Sequence, residues 1–169
     1  MKKNILLAVL FFLISCAGSI PGWYTKIPDK KGYRYAVGTE KGDELQNAQD
    51  EAREIAVRAL AQQMQTEMSG NMKRVQEEIN DRAAIDNFRS SQTNTFSLKI
   101  GDYRVAKQEV SREKGLFRVF VLVEYDEGAA TKRLLDKIKQ NKELHEAMRT
   151  TQLYKEMEEE VEAFRRRNQ

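Results

Sequence analysis

The feature that most constrains the fold is a strand-turn-strand signal late in the chain. "YRVAKQEVS" and "LFRVFVLVEY" flank "REKG", a turn ending in Gly115, and both flanks have strand composition. In the second flank Phe117, Val119, Val121, Val123 and Tyr125 alternate with Arg118 and Glu124, while Phe120 and Leu122 make the other face apolar too. A strand apolar on both faces reads as central in its sheet and covered on both sides.

The upstream sequence supplies a partner strand and a cover. "YRYAVGT", residues 33–39, is aromatic and β-branched, with Tyr33, Tyr35 and Val37 on one side of a pleat. Asp43 is a good N-cap, and Leu45, Ala48, Ala52, Ile55 and Ala59 then recur at spacings of three and four, a helical stripe. Because the stripe is mostly alanine, the helix can lie close to a sheet and is predicted to cover its inner face. The pattern weakens at Ser69-Gly70-Asn71 and resumes at Met68, Met72, Val75 and Ile79. One glycine costs about 1 kcal/mol in a helix, so the helix is expected to run on to about Asn80, its methionines serving as core. "SSQTNTFSLKIGDY", residues 90–103, is polar with β-formers and carries a bend or bulge signal at Gly101-Asp102.

After Gly128 the chain reads as charged and helical to its end. Leu134, Leu135, Ile138 and Met148 mark one apolar side; Tyr154, Met157, Val161 and Phe164 follow a 3-4-3 spacing and are read as a seam for a partner. "EMEEEVEAFRRR" sets acids before bases, an order favoured by i to i+4 pairs and by the helix dipole. Arg165, Arg166 and Arg167 are read as a solvated helix end, with contact to anionic lipid or cell-wall polymer as the other reading. The fold class expected is α+β: a long helix packed on a small antiparallel sheet in the order strand, helix, strand, strand, with a C-terminal helical extension.

The N-terminus carries a different kind of signal. Residues 5–14 are uninterruptedly apolar, about half of the roughly 20 residues a membrane-spanning helix needs. Lys2 and Lys3 precede the run, and Ser15, Cys16, Ala17 and Gly18 follow it, the positive, apolar, small order of a secretory signal. "LISC", ending at the sole cysteine, resembles the lipobox of bacterial lipoproteins, in which the cysteine is acylated and becomes the first mature residue. A diacylglycerol and an amide-linked acyl chain such as palmitate would anchor the chain stably, since each buried methylene contributes about 0.8 kcal/mol. Residues 1–15 are thus read as a lipoprotein signal peptide with lipidation at Cys16. Residues 16–32, with both prolines and Gly18, Gly22 and Gly32, read as a tether. Trp23 and Tyr24 in that tether either pack onto the sheet edge or sit at headgroup level; packing is preferred because "GYRYAVG" is close by.

Charge and chemistry narrow the function. Removing Lys2 and Lys3 from a formal net charge of +3 leaves about +1, so no bulk field draws the mature chain to nucleic acid. With Cys16 acylated, no thiol is left for a disulfide, a metal centre or a nucleophile. His145, the sole histidine, sits between Leu144 and Glu146 in a charged segment and reads as solvated rather than as a general base. No GxSxG, HExxH, CxxC or phosphate-binding glycine loop occurs. No enzyme activity, cofactor or metal is expected.

The lipobox, the "PGWY" pair, and "GYRYAVGT" followed by the helix containing "DEAREIAVRALA" come in an order that resembles the LPP-twenty lipoprotein family. These are small outer-membrane lipoproteins related to the N-terminal domain of flagellar assembly protein T. The resemblance covers residues 21–125, and the α+β domain is placed at 33–126 with the charged extension at 127–169. It implies the same strand, helix, strand, strand order, an envelope or flagellar setting, and no family-wide catalysis. Ala17, not aspartate, follows the cysteine, which favours the outer membrane. The expected partners are the membrane, through the lipid, and a protein or second copy; the alternative is a periplasmic module binding peptidoglycan or a small ligand.

Overall fold

The computed structural model describes residues 20–96 and 103–169. Cys16 and the bend expected at Gly101-Asp102 lie outside the described residues. The elements run α1 (Gly22–Thr25), β1 (Tyr33–Gly42), α2 (Leu45–Glu78), α3 (Arg82–Phe96), β2 (Tyr103–Glu113), β3 (Leu116–Asp126), α4 (Glu127–Gln140), α5 (Lys142–Met148) and α6 (Gln152–Arg167). The fold is mixed α+β, an antiparallel sheet in the order β1-β3-β2 beneath the long helix α2, with further helices at its C-terminal side.

β3 is central, as its doubly apolar pattern predicts. Its register puts Tyr33 opposite Asp126 and Gly42 opposite Phe117 on one side, and Tyr103 opposite Tyr125 and Glu113 opposite Leu116 on the other. Val119, Val121, Val123 and Tyr125 enter the core under α2, while Phe120 and Leu122 are buried on the outer face. Tyr24 covers Phe120, the rings meeting edge to face at 5.1 Å, so Tyr24 packs onto the sheet, and Trp23 meets Tyr24 edge to face at 6.3 Å. The β2–β3 turn has Lys114 at φ 52° and Gly115 at φ 87°, the left-handed pair that a two-residue hairpin loop requires.

α2 lies unusually close to the sheet because the contact is alanine on glycine. Ala48, Ala52, Ala56, Leu60 and Met64 form its buried stripe. A Cβ on Gly38 would sit 2.7 Å from the Ala56 backbone nitrogen and closer still to the Ala52 carbonyl oxygen. The real stripe steps by four, where the expected one included Leu45 and Ile55; those two are exposed. A step of four drifts slowly around a helix of 3.6 residues per turn, and the drift lets the stripe follow a twisted sheet. Asp43 does not cap: the N-cap position is Glu44, and the Asp43 carboxylate accepts from the Glu44 backbone N–H at 3.0 Å. The helix continues through Gly70 to Glu78, with Met68 and Met72 packed against the core.

Residues 90–96 correct the sequence reading. Instead of extending toward a strand, they complete α3, whose Asp81 accepts from the N–H groups of Ala83 (2.9 Å) and Ala84 (3.2 Å). Ala84, Phe88, Gln92 and Phe96 are buried at steps of four, so tertiary packing overrides the β preference of the threonines and phenylalanine.

The C-terminal segment, expected to be helical, is three helices. Asn141 accepts from the Leu144 N–H at 3.1 Å and Thr151 from the Tyr154 N–H at 3.2 Å, each capping a new helix where the previous one stops. Leu134, Leu135, Ile138, Leu144 and Met148 belong to the same hydrophobic core as α2 and β3. The expected partner seam is corrected here as well. Tyr154, Met157 and Val161 are buried in that core and Phe164 is half-buried, its Cβ against Gly128. An amphipathic helix needs one apolar counter-surface, and α6 finds it on its own chain.

Candidate functional site

Two regions stand apart from the apolar core. The first is a charged cavity of about 310 Å³ where β1, α2, α4 and α6 meet, bordered by Lys31, Arg34, Glu67, Glu127, Glu160 and Arg167. Arg34, on β1, pairs with Glu67 at 2.6 Å and with Glu127, the first residue of α4. Thr131 donates to Glu160 at 3.0 Å. Burial pushes the carboxyls of Glu67, Glu127 and Glu160 above their ordinary range, with Arg34 pulling each partly back and the Thr131 hydroxyl doing the same for Glu160.

Arg167 closes this cavity. A Cβ at Gly32 or Gly128 would collide with its guanidinium or with Phe164, so both glycines leave room for the end of α6. The guanidinium carbon lies 5.5 Å from the centre of the Tyr33 ring, and Nη2 is 3.9 Å from the Asp126 carboxylate. Of the three arginines read as a solvated end, Arg165 and Arg166 are exposed and Arg167 turns inward. His145 is half-buried with its ring 5.6 Å from that of Tyr154.

The second region is the sheet's outer edge at β2. Its inner face carries Val105 and Val110, both exposed, because α2 lies over β1 and β3. A bulge falls between Val105 and Lys107. Near the same edge, Arg104 pairs with the buried Glu124 at 2.6 Å, and Glu124 also accepts from the Tyr35 hydroxyl at 2.8 Å. Burial and that carboxylate push the Tyr35 hydroxyl up to about 12.

Of the cavity residues only Arg167 was singled out from the sequence, and as a solvated helix end rather than as part of a site; Arg34, Glu67, Glu127 and Glu160 are scattered along the whole domain and no spacing rule joins them. Gly32 and Gly128 are the one local hint, marking places where something large approaches the backbone. Cys16 lies outside the described residues, so its proposed lipid has no structural counterpart here. Among the described residues no group of His, Cys, Asp and Glu is arranged to hold a metal ion, and no helix is long and apolar enough to cross a membrane.

Comparison with family models, with curated proteins and with solved structures finds no match for this chain.

Proposed function

We propose that this chain is a non-enzymatic lipoprotein of the bacterial envelope, held at the outer membrane by acyl chains on Cys16, whose α+β domain works by contact with other protein. The LPP-twenty resemblance supplies the setting, including a structural or flagellar association. The observation that carries the contact reading is β2, a long edge strand with open backbone groups and uncovered valines. The test is cross-linking in intact cells followed by identification of the bound protein. Recovery of a defined protein through β2 supports the reading; recovery of none overturns it. In parallel, Cys16→Ser is expected to move the chain from the membrane to the soluble fraction, and retention on the membrane would remove the anchor.

The charged cavity favours a second reading, a periplasmic module for a small ligand or for peptidoglycan. Its mixture of arginine and carboxylate suits a ligand bearing both charges. Co-sedimentation with purified cell wall, and its loss in Arg34→Met, would support that reading over the first.

A further inference from the structure

We infer that β2 pairs with β2 of a second copy, antiparallel, about a twofold axis at Val110. This rests on the protein-contact reading and names its partner.

The pairing register follows from charge. β3 fixes which side each β2 residue faces: Gln108, Val110 and Arg112 lie opposite Val121, Val119 and Phe117, on the face covered by α2. Lys107, Glu109, Ser111 and Glu113 lie opposite Leu122, Phe120, Arg118 and Leu116, on the other face. Twofold antiparallel pairing keeps residues of one face opposite one another, so the axis must pass through a residue. An axis at Lys107, Glu109, Arg112 or Glu113 sets that charge against its own copy. An axis at Ser111 sets Glu109 against Glu113 twice. An axis at Gln108 gives two Lys107–Glu109 pairs, but it brings the bulge residue Ala106 opposite Val110 and breaks the ladder there.

The axis at Val110 has none of these faults. It sets Lys107 against Glu113 of the second copy twice, Gln108 against Arg112 twice, Glu109 against Ser111 twice, and valine against valine at the centre. It also uses the entire bulge-free stretch from Lys107 to Glu113 and stops where the bulge begins. Opposite charges and β-branched pairs directly across a ladder are favourable, and like charges are not.

The surroundings agree with this register. Val105 and Val110 are 40% and 39% exposed, and joining two β2 strands covers the Val110 pair between the two inner faces. Among the described residues, Lys107 and Glu109 have no ion partner within their own chain; Glu113, already 3.3 Å from Lys41 and 3.4 Å from Arg118, would be shared with Lys107 of the second copy. The opposite edge is less available: Gln63 of α2 reaches over β1 and donates to the Tyr35 carbonyl at 3.3 Å. A seven-residue ladder is a small interface, but anchoring copies on one membrane raises their effective concentration, so the association belongs to the tethered protein.

The experiment is disulfide trapping of the full chain in intact bacterial cells, with copper phenanthroline as oxidant and the parent chain as baseline. Val110→Cys places two thiols directly across the axis, within reach of a disulfide, and is expected to give covalent dimer about tenfold faster than the parent or Glu40→Cys on β1. Ser111→Cys, two positions out of register with its own copy, is expected to trap far less. Ser111→Glu in the Val110→Cys background sets glutamate against Glu109 of the second copy twice and is expected to abolish the advantage, and adding Glu109→Lys, a position without an ion partner among the described residues, is expected to restore it, each variant being checked for unchanged thermal melting. Equal trapping at Val110, Ser111 and Glu40, or no rescue by the charge exchange in a protein that melts normally, overturns the register. If Val110→Cys forms a disulfide with a different protein and no dimer, self-pairing falls while the protein-contact reading stands. If no position captures any protein, both fall.

Discussion

β1 and β2 flank the same central strand and are nearly equal in length, yet they live in different solvents. β1 is pressed by α2 at Gly38, capped on its edge by Gln63, and tied at Arg34 to α2 and α4. β2 has the same hydrogen-bonded neighbour and almost none of that cover. The difference comes from side-chain size: alanine and glycine draw the helix over β1 and β3, and a single helix about 10 Å across cannot also shield a third strand. Stability is thus concentrated on one side of β3, and the other side is left exposed.

Substitutions can break this contrast. Leu60→Ala, under α2, is expected to lose about 2–5 kcal/mol of unfolding free energy in denaturant titration, because the side chain is completely buried. Gly38→Ala should cost about 1–3 kcal/mol, since a methyl has no space beneath the Ala52 and Ala56 backbone. Val110→Thr on β2 should cost less than about 0.5 kcal/mol by the same measurement. A Gly38 cost no larger than the Val110 cost would mean that α2 does not hold the two strands differently.

The charged cavity extends the contrast to pH. Glu67, Glu127 and Glu160 have carboxyls raised above their ordinary folded range by burial, so the folded state binds their protons more readily than the unfolded chain does. Their contribution is complete below the unfolded value, near 4.5, and is lost as pH rises through the raised values. Thermal melts of Glu160→Gln should therefore show a smaller gain than the parent on going from neutral pH to mild acid. Glu113, held below its ordinary range chiefly by Lys41, acts in the opposite direction on the β2 side, and Glu113→Gln should lessen the loss of stability at low pH. The smallest change is expected at the hairpin: Lys114→Asn, at φ 52°, should gain a few tenths of a kcal/mol in the same melts, as asparagine tolerates that backbone better than lysine.

How much of this was legible follows from which interactions are local. The strands and α2 announce themselves because alternation and steps of three or four lie within a few neighbouring residues. α3 was hidden because Ser90, Thr93 and Thr95 favour other conformations in isolation, and only the burial of Phe88, Gln92 and Phe96 against the rest of the chain settles them as helix. The spacing of Tyr154, Met157 and Val161 correctly marks an apolar face but cannot say whose surface it meets. The cavity was least legible of all, because Arg34 and Glu127 are neighbours only after β1 and β3 have paired.

The hairpin turn has a kinetic consequence. Lys114 and Gly115 close β2 onto β3 across two residues, whereas β1 reaches β3 only after the chain from Gly42 to Phe117, including all of α2, has been brought round. Loop closure favours the short connection first. The strand pairing that forms earliest is therefore the one that ends up least protected, and a newly made chain exposes the β3 edge meant for β1 until α2 arrives. Folding in this order places the window for mispairing on the side of the sheet that is later sealed.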